Sequence, residues 1–329
     1  MLVVASCNGA IHGLNKSTGR VLWRYDATKD GGRPEFHGPA LVLAGRLYIS
    51  SDDRSPTGVG HMYALDPRTG NLNWKKRVGR GIPTSLLSLR DSLCGVTLED
   101  RATCLASATG EVTSEAPVSA LSPMTAEPPS QLIPMGLART GGLLIQGTRD
   151  GLVRGLDERS GREEWATSLG SRVTLEPVLM AGGEVLVGTL DHRLHRIRPA
   201  DGAVQGSFPV EGIPVRRAVV KGTTAVLFVA TNSEAAELQA FDLPGGRLLW
   251  NRTSGSGRGW GSAHPVADES VAWVGSDSGE VAAITIRDGS VAETHGIGGR
   301  VAGIGLSPEW LFVGVTSGRI HAIRRQVGD

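Results

Sequence analysis

Apolar and polar positions alternate along this chain in short runs that recur at even spacing. Leu47-Tyr48-Ile49-Ser50, Leu144-Ile145-Gln146-Gly147 and Val185-Leu186-Val187-Gly188 have the length and content of strands. A second apolar run often comes just before, as in Pro39-Ala40-Leu41-Val42-Leu43 and Pro177-Val178-Leu179-Met180. Long amphipathic helical patterns are absent from the sequence. The pattern predicts an all-β chain with four short strands per unit, and units about 40–50 residues apart.

One turn segment marks each unit. Ala64-Leu65-Asp66-Pro67-Arg68-Thr69-Gly70-Asn71-Leu72-Asn73-Trp74 is the fullest copy, and Gly13-Leu14-Asn15 with Gly19 and Trp23 stands upstream. Gly155-Leu156-Asp157 with Gly161 and Trp165 follows, then Ala240-Phe241-Asp242 with Gly246 and Trp250. Weaker copies end at Gly110, Gly202 and Gly289, with Ser114, Gly206 and Glu293 at the tryptophan position. The Asn or Asp side chain closes a turn by accepting from the backbone two residues on. The glycine takes a left-handed conformation that other residues resist. The tryptophan is large enough to pin one unit to the next.

Labelling the strands of a unit A to D from inside to outside, we read B–C hairpins near 2–14, 46–65, 92–105, 143–156, 185–197, 225–242, 271–285 and 311–323. The first unit lacks an A strand and the last lacks a D strand. The expected fold is a single β-propeller domain over 1–329, made of four-stranded antiparallel blades with incomplete terminal blades. Eight blades is the expected number, and seven with a redundant hairpin is the alternative.

The Ala-Leu-Asp-x-x-Thr-Gly-x-x-x-Trp pattern resembles the pyrroloquinoline-quinone (PQQ)-like repeat family, in the quinoprotein alcohol dehydrogenase-like superfamily. The resemblance covers nearly the whole chain. It implies a propeller fold and leaves function open, because one fold hosts many activities. The family includes quinoprotein dehydrogenases, outer-membrane assembly lipoproteins without a cofactor, and sensor or scaffold domains attached to kinases. Its dehydrogenases have adjacent cysteines over the quinone and a calcium held by acidic and amide side chains. This sequence has no Cys-Cys pair and no convincing set of calcium ligands. The chain resembles the non-enzymatic members, so no PQQ or other cofactor is expected.

Composition changes the picture little. Of 329 residues 40% are hydrophobic and 20% charged, and the formal net charge of +1 provides no global field for nucleic acid. No apolar stretch is long enough to insert in a membrane. Met1 to Ser6 reads as a strand and not as a signal peptide, which predicts a cytoplasmic protein if Met1 is the natural start and leaves an excised extracytoplasmic domain open. Cys94 and Cys104 fall on paired strands of one hairpin, where a disulfide is possible. The plainer expectation is three small buried cysteines in a reduced protein. His12, His195 and His321 share one repeat column without further ligands at useful spacing, so no metal is expected.

Chain direction puts the D–A and B–C loops on one face. All the long loops belong to that face: 26–38, 115–133 and 252–262 (D–A), and 52–60 and 232–236 (B–C). Residues entering the A strands are Gly38, Thr84, Pro134, Glu176, Arg216, His264 and Ala302. Glu176, Arg216 and His264 thus come from successive units, with Arg217, Arg258 and Trp260 beside them and His37, Arg33 and Arg80 further round. This set is the candidate site for an acidic peptide or a small anionic ligand, with Trp260 as a stacking face. The plainer reading pairs Glu176 with Arg216 and makes His264 a backbone cap. The expected function is a non-catalytic scaffold binding a protein or peptide. A ligand-sensing domain of a larger signalling protein and a PQQ-dependent dehydrogenase are the alternatives.

Overall fold

The computed structural model describes all residues except 54, 56, 117–135, 232–235, 255–259, 261–262 and 326–329. Most of the expected 115–133 loop, Pro134 and Arg258 therefore lie outside the described residues. Internal contacts divide the chain into two compact units, Met1–Gly170 and Ser171–Asp329.

The first unit opens with three antiparallel strands, β1 (Leu2–Ala5), β2 (Ala10–Leu14) and β3 (Val21–Asp26). Three four-stranded meanders follow. They are β4 (Leu41–Leu43), β5 (Arg46–Ser50), β6 (His61–Leu65) and β7 (Leu72–Arg77); β8 (Leu87–Leu89), β9 (Ser92–Val96), β10 (Ala102–Ala106) and β11 (Val112–Glu115); and β12 (Leu137–Thr140), β13 (Leu143–Gly147), β14 (Leu152–Asp157) and β15 (Glu163–Ser168).

The second unit mirrors this order. Its meanders are β16 (Val173–Leu179), β17 (Val185–Thr189), β18 (Arg193–Ile197) and β19 (Val204–Pro209); β20 (Ile213–Lys221), β21 (Thr224–Ala230), β22 (Ala236–Asp242) and β23 (Arg247–Arg252); and β24 (Val266–Ala267), β25 (Val271–Gly275), β26 (Glu280–Thr285) and β27 (Val291–Gly296). It closes on three strands, β28 (Val301–Leu306), β29 (Trp310–Val315) and β30 (Ile320–Arg324). Every hairpin expected from the turn pattern is present. Within each unit these short antiparallel meanders, with apolar B and C strands at their centre, are the local architecture of a β-propeller. The loop at 26–38 is not wholly irregular: Ala27–Asp30 forms one 3₁₀ turn, and Asp26 caps it by accepting from the Thr28 amide.

The turn chemistry works as the sequence implies. Asp66 Oδ1 accepts from the amide of Arg68 at 2.7 Å, and Asn15 Oδ1 from that of Ser17 at 2.9 Å. Gly70 has φ of 73°. All seven C–D pairs share a register shift just before the turn, for example between Ala64 and Leu65. Such a bulge twists the outer strand over the next meander.

Tryptophans occupy two contacts at once. Trp23 faces Gly13 across the C–D pair, where a Cβ would lie 2.2 Å from the indole. It also covers Gly70 of the following turn and donates from Nε1 to the Pro67 carbonyl at 2.7 Å. Trp74 donates likewise to the Ser107 carbonyl, and Trp250 to that of Ile286, both at 3.0 Å. In one unit without the tryptophan, the strand partner is larger. Opposite Gly206 stands Arg196, whose guanidinium fills the space over that glycine.

The core lies between meanders and is mostly apolar, and it encloses a buried ion pair. In the first unit Arg149 Nε contacts Asp100 Oδ2 at 2.6 Å, with side chains 7% and 1% exposed. Arg149 Nη2 also donates to the Leu98 carbonyl at 3.1 Å, and Gln146 Nε2 to the Asp100 carbonyl at 2.9 Å. Asp100 adopts φ of 58°, which Asp tolerates better than most residues.

The cysteines differ from the plainer expectation. Cys94 and Cys104 face each other on β9 and β10, with Cα atoms 4.1 Å apart, and are joined as a disulfide. Directly opposed residues of an antiparallel pair come this close without backbone movement. Cys7 is free and exposed rather than buried. No helix among the described residues is long and apolar enough to cross a membrane.

Candidate functional site

In the second unit the inner strands are distorted at one level. β16 loses register between Leu175 and Val178, which sets Glu176 and Pro177 out of the ladder. β20 loses it between Val215 and Val219, across Arg216, Arg217 and Ala218. β28 shifts between Val301 and Gly303. A single parallel bridge, Leu175 to Arg216, links the first two strands at this level. Arg216 sits at φ of 71°, a left-handed conformation unusual for a long side chain. Bulges of this kind re-aim side chains at sites.

The distortions bring charged groups together. The Arg217 side chain is exposed, and its charge acts on both Glu176 and His264. Glu176 is 7% exposed; burial raises its pKa, and Arg217 only partly opposes the shift. His264 reaches solvent, yet its pKa falls to about 4 because surrounding protein desolvates the imidazolium and Arg216 and Arg217 repel it. Arg216 feels desolvation first, then Arg300, while Asp277 acts the other way. Arg300 Nε is held by Asp277 Oδ1 at 3.0 Å. Near neutral pH the mouth of this unit therefore carries arginine charge beside an uncharged imidazole, with Glu176 shifted upward by burial.

The structure brings Arg217 within electrostatic reach of both Glu176 and His264, and Arg216 within reach of His264. Sequence reasoning missed Arg300 and Asp277. Arg300 directly precedes β28, the position equivalent to a D–A entry, and that column was the available signal. Trp260 is not a stacking face. It is 5% exposed, packs with Val226, Phe228 and Val274, and donates from Nε1 to the Arg252 carbonyl at 3.0 Å.

His37, Arg33 and Arg80 belong to the first unit and are set among carboxylates. Asp52 pairs through its backbone with both Glu35 and Gly81, which knits three loops of the long-loop face into one patch. His37 Nδ1 lies 2.8 Å from Asp52 Oδ1, and His37 Nε2 lies 3.6 Å from Glu35 Oε2. This is the cluster of three potential metal-ligating side chains found among the described residues. Its imidazole spans two carboxylates. Arg80 donates from its amide to Glu99 Oε1 at 3.0 Å and from Nη1 to the Ser55 carbonyl at 3.4 Å. Asp53 accepts from the Arg33 amide at 3.0 Å and from Ser55 Oγ at 2.7 Å. Burial works against ionisation of Asp53, but these hydrogen bonds outweigh it and lower its pKa. Only the exposed Arg33 side chain faces solvent freely. An anion has little to gain here.

His264 and Glu176 affect acid stability in opposite senses. A histidine with a lowered folded pKa leaves the unfolded chain binding more protons between about pH 4 and 6.5, so its contribution is lost as pH falls through that window. A glutamate with a raised folded pKa binds more protons in the folded chain, so its contribution is lost as pH rises above 4.5. We expect His264→Gln to flatten the rise of stability with pH between 4 and 6.5, and Glu176→Gln to steepen it. Urea midpoints at half-unit pH steps check both; parallel curves for the two variants contradict this assignment.

The fold and its turn motif are those of the PQQ-like repeat β-propellers. The chain belongs to the family described as outer membrane protein assembly factor BamB, whose model matches residues 1–127 and 98–329. The structure of BamB from Moraxella catarrhalis is similar with a TM-score of 0.75 and 16% identity, covering 99% of this chain and 92% of that one. A europium-containing methanol dehydrogenase is similar at a TM-score of 0.69 and 12% identity, covering 95% and 81%. The serine/threonine-protein kinase AfsK of Streptomyces griseus is 29% identical over 195 residues, which is 57% of this chain and 22% of the kinase. AfsK of Streptomyces coelicolor matches at 29% over 198 residues with the same coverage. The chain thus spans about a fifth of these curated relatives.

Proposed function

We propose that this chain is a non-catalytic propeller that binds an acidic segment of a protein or peptide partner at the mouth of its second unit. The observation that carries this reading is the pair Arg216 and Arg217, thrust out of the β20 ladder beside a neutral His264. Two neighbouring guanidinium groups, Arg216 partly desolvated and Arg217 exposed, favour carboxylate or phosphate oxygens. A protein-binding role is consistent with the BamB-type family. The described residues do not fit a quinone with its calcium. The bonded cysteines lie in core strands of the first unit, and the carboxylates near His37 are already engaged by it or by backbone.

Calorimetric titration with a hexaglutamate peptide at low salt tests the reading, with hexalysine as control. We expect binding of hexaglutamate alone, and a loss of roughly tenfold for each arginine replaced by glutamine, given about 1.5 kcal/mol or more per charged hydrogen bond. Affinity should change little between pH 6 and 8, because His264 stays neutral there. Equal affinity of the Arg216→Gln/Arg217→Gln protein rejects the site.

A second reading, a ligand-sensing domain of a larger signalling protein, draws on the match to AfsK kinases. A thermal-shift screen with anions, sugars and quinones separates it, since a small ligand raises Tm by mass action.

A further inference from the structure

Backbone pairing in the first unit arranges Glu35, His37 and Asp52 as a set of donors. Glu35 and Asp52 are directly opposed in an antiparallel bridge, and each amide donates to the other's carbonyl at 2.9 Å. Residues opposed in this way present their side chains on one face. The spacing of Glu35 and His37 is that of neighbours on the same face of an extended segment. Phe36 between them is turned the other way and buried against Tyr63. The imidazole lies against both carboxylates, with Nδ1 2.8 Å from Asp52 Oδ1 and Nε2 3.6 Å from Glu35 Oε2. Asp52 is wholly buried, and Gly81 packs on it so closely that a Cβ there would lie 2.4 Å from the Asp52 Cα.

One donor atom from each of the three side chains lies within 4.8 Å of the other two. Donors around a tetrahedral zinc ion stand about 3.4 Å apart, given bonds of about 2.1 Å. Asp52 and His37 are already inside that span, and the Glu35 side chain, 40% exposed, has room to turn inward. The surrounding charge suits a cation. Asp53, next along the chain, is kept in its charged form by the Arg33 amide and by Ser55. Arg80 Nε is turned to Glu99 Oε1 at 3.8 Å. An imidazole donor disfavours calcium and magnesium, which take oxygen ligands, and with two carboxylates it suits zinc.

We propose that Glu35, His37 and Asp52 bind a zinc ion that clips the 31–38 loop to the 52–60 loop. The ion takes the place of the proton between His37 Nδ1 and Asp52. Three protein donors leave a fourth position for water or an incoming ligand atom. The partly exposed side chains of Glu35 and His37 put that position toward solvent. The histidines of the repeat column, His12, His195 and His321, take no part. The site belongs to the first unit and does not depend on the mouth around Arg216, so either proposal can fail alone.

Zinc chloride is titrated calorimetrically into the chelator-stripped 1–329 protein, with cobalt as a spectroscopic stand-in. We expect one zinc per chain with a Kd of about 1 μM or below. Cobalt should give the visible bands of a four-coordinate ion, and zinc should abolish them. Calcium and magnesium should bind roughly a hundredfold more weakly. Glu35→Gln, His37→Gln and Asp52→Asn should each weaken zinc by at least the roughly tenfold that losing even a supporting partner costs. Circular dichroism checks the fold of each variant. If the buried Asp52→Asn unfolds, the two variants at partly exposed positions decide. Cys7 is exposed and free, so Cys7→Ser is the control for an unrelated thiol site. It and Arg216→Gln/Arg217→Gln should bind zinc as the parent protein does. No zinc binding at micromolar concentrations overturns the proposal. So does binding that His37→Gln leaves unchanged, or that Cys7→Ser removes.

Discussion

Replacing Arg149 with alanine should destabilise the protein by about 3–5 kcal/mol, the cost of leaving a buried carboxylate without its partner. Asp100 is almost wholly enclosed, and Arg149 meets it at 2.6 Å while also capping the Leu98 carbonyl. Water cannot take over that role at so closed a site. The pair itself is not a net source of stability of this size, because bringing both ions out of water offsets most of their attraction. The double variant Asp100→Asn/Arg149→Met should therefore recover most of the loss; Asn keeps the left-handed backbone that Asp100 adopts. Urea unfolding of the two single variants and the double variant checks this. A double variant no better than the sum of the singles refutes the coupling.

Trp23→Ala should cost a similar amount, about 3–5 kcal/mol for removal of a buried indole. The ring fills the space over Gly13 on its own meander and over Gly70 on the next, and its Nε1 is tied to the Pro67 carbonyl. Truncation opens a cavity that neither glycine can fill. Trp23→Phe keeps most of the packing and should lose about 1–2 kcal/mol, part of it the hydrogen bond. Denaturant midpoints again decide. A small effect of alanine would mean that the loop after β3 collapses into the gap.

Much of this architecture was legible because turns are written in few residue types. Asx, Thr-Gly and the tryptophan fixed the hairpin positions, and strand period fixed which loops share a face. The knitting of 31–38, 52–60 and 78–82 through Asp52 agrees with that face. The column of residues entering the inner strands pointed to the level at which Arg216 and Arg217 act on His264, and Arg217 on Glu176. What stayed hidden depends on tertiary detail. The bulge in β20 leaves no mark in a one-dimensional pattern, since Arg216 and Arg217 look like ordinary strand residues, whereas Pro177 does signal a break in the β16 ladder. Trp260 read as an exposed aromatic because its loop is rich in glycine, yet its ring is drawn into the core between β22 and β25. His37 and Arg80 read as a basic patch because their acidic partners, Asp52 and Glu99, come from other loops. The Cys94–Cys104 bond needed the β9–β10 register to be known before it could be chosen over two reduced thiols.

The exchange of bulk between Gly206 and Arg196 has an implication for how such a chain can change over time. At this position the space between the two outermost strands is filled from the other strand than in the tryptophan-bearing units. Trp23 fills it from the outer strand above Gly13, and Arg196 fills it from the inner partner beneath Gly206. A single substitution on either side creates a clash or a hole. The smallest piece that can be transplanted between repeats is therefore a C–D pair with its turn. Shuffling outer strands alone between the two kinds of repeat should give proteins that fold poorly, whereas moving whole pairs should be tolerated. Among homologues the two positions should vary together, small against large.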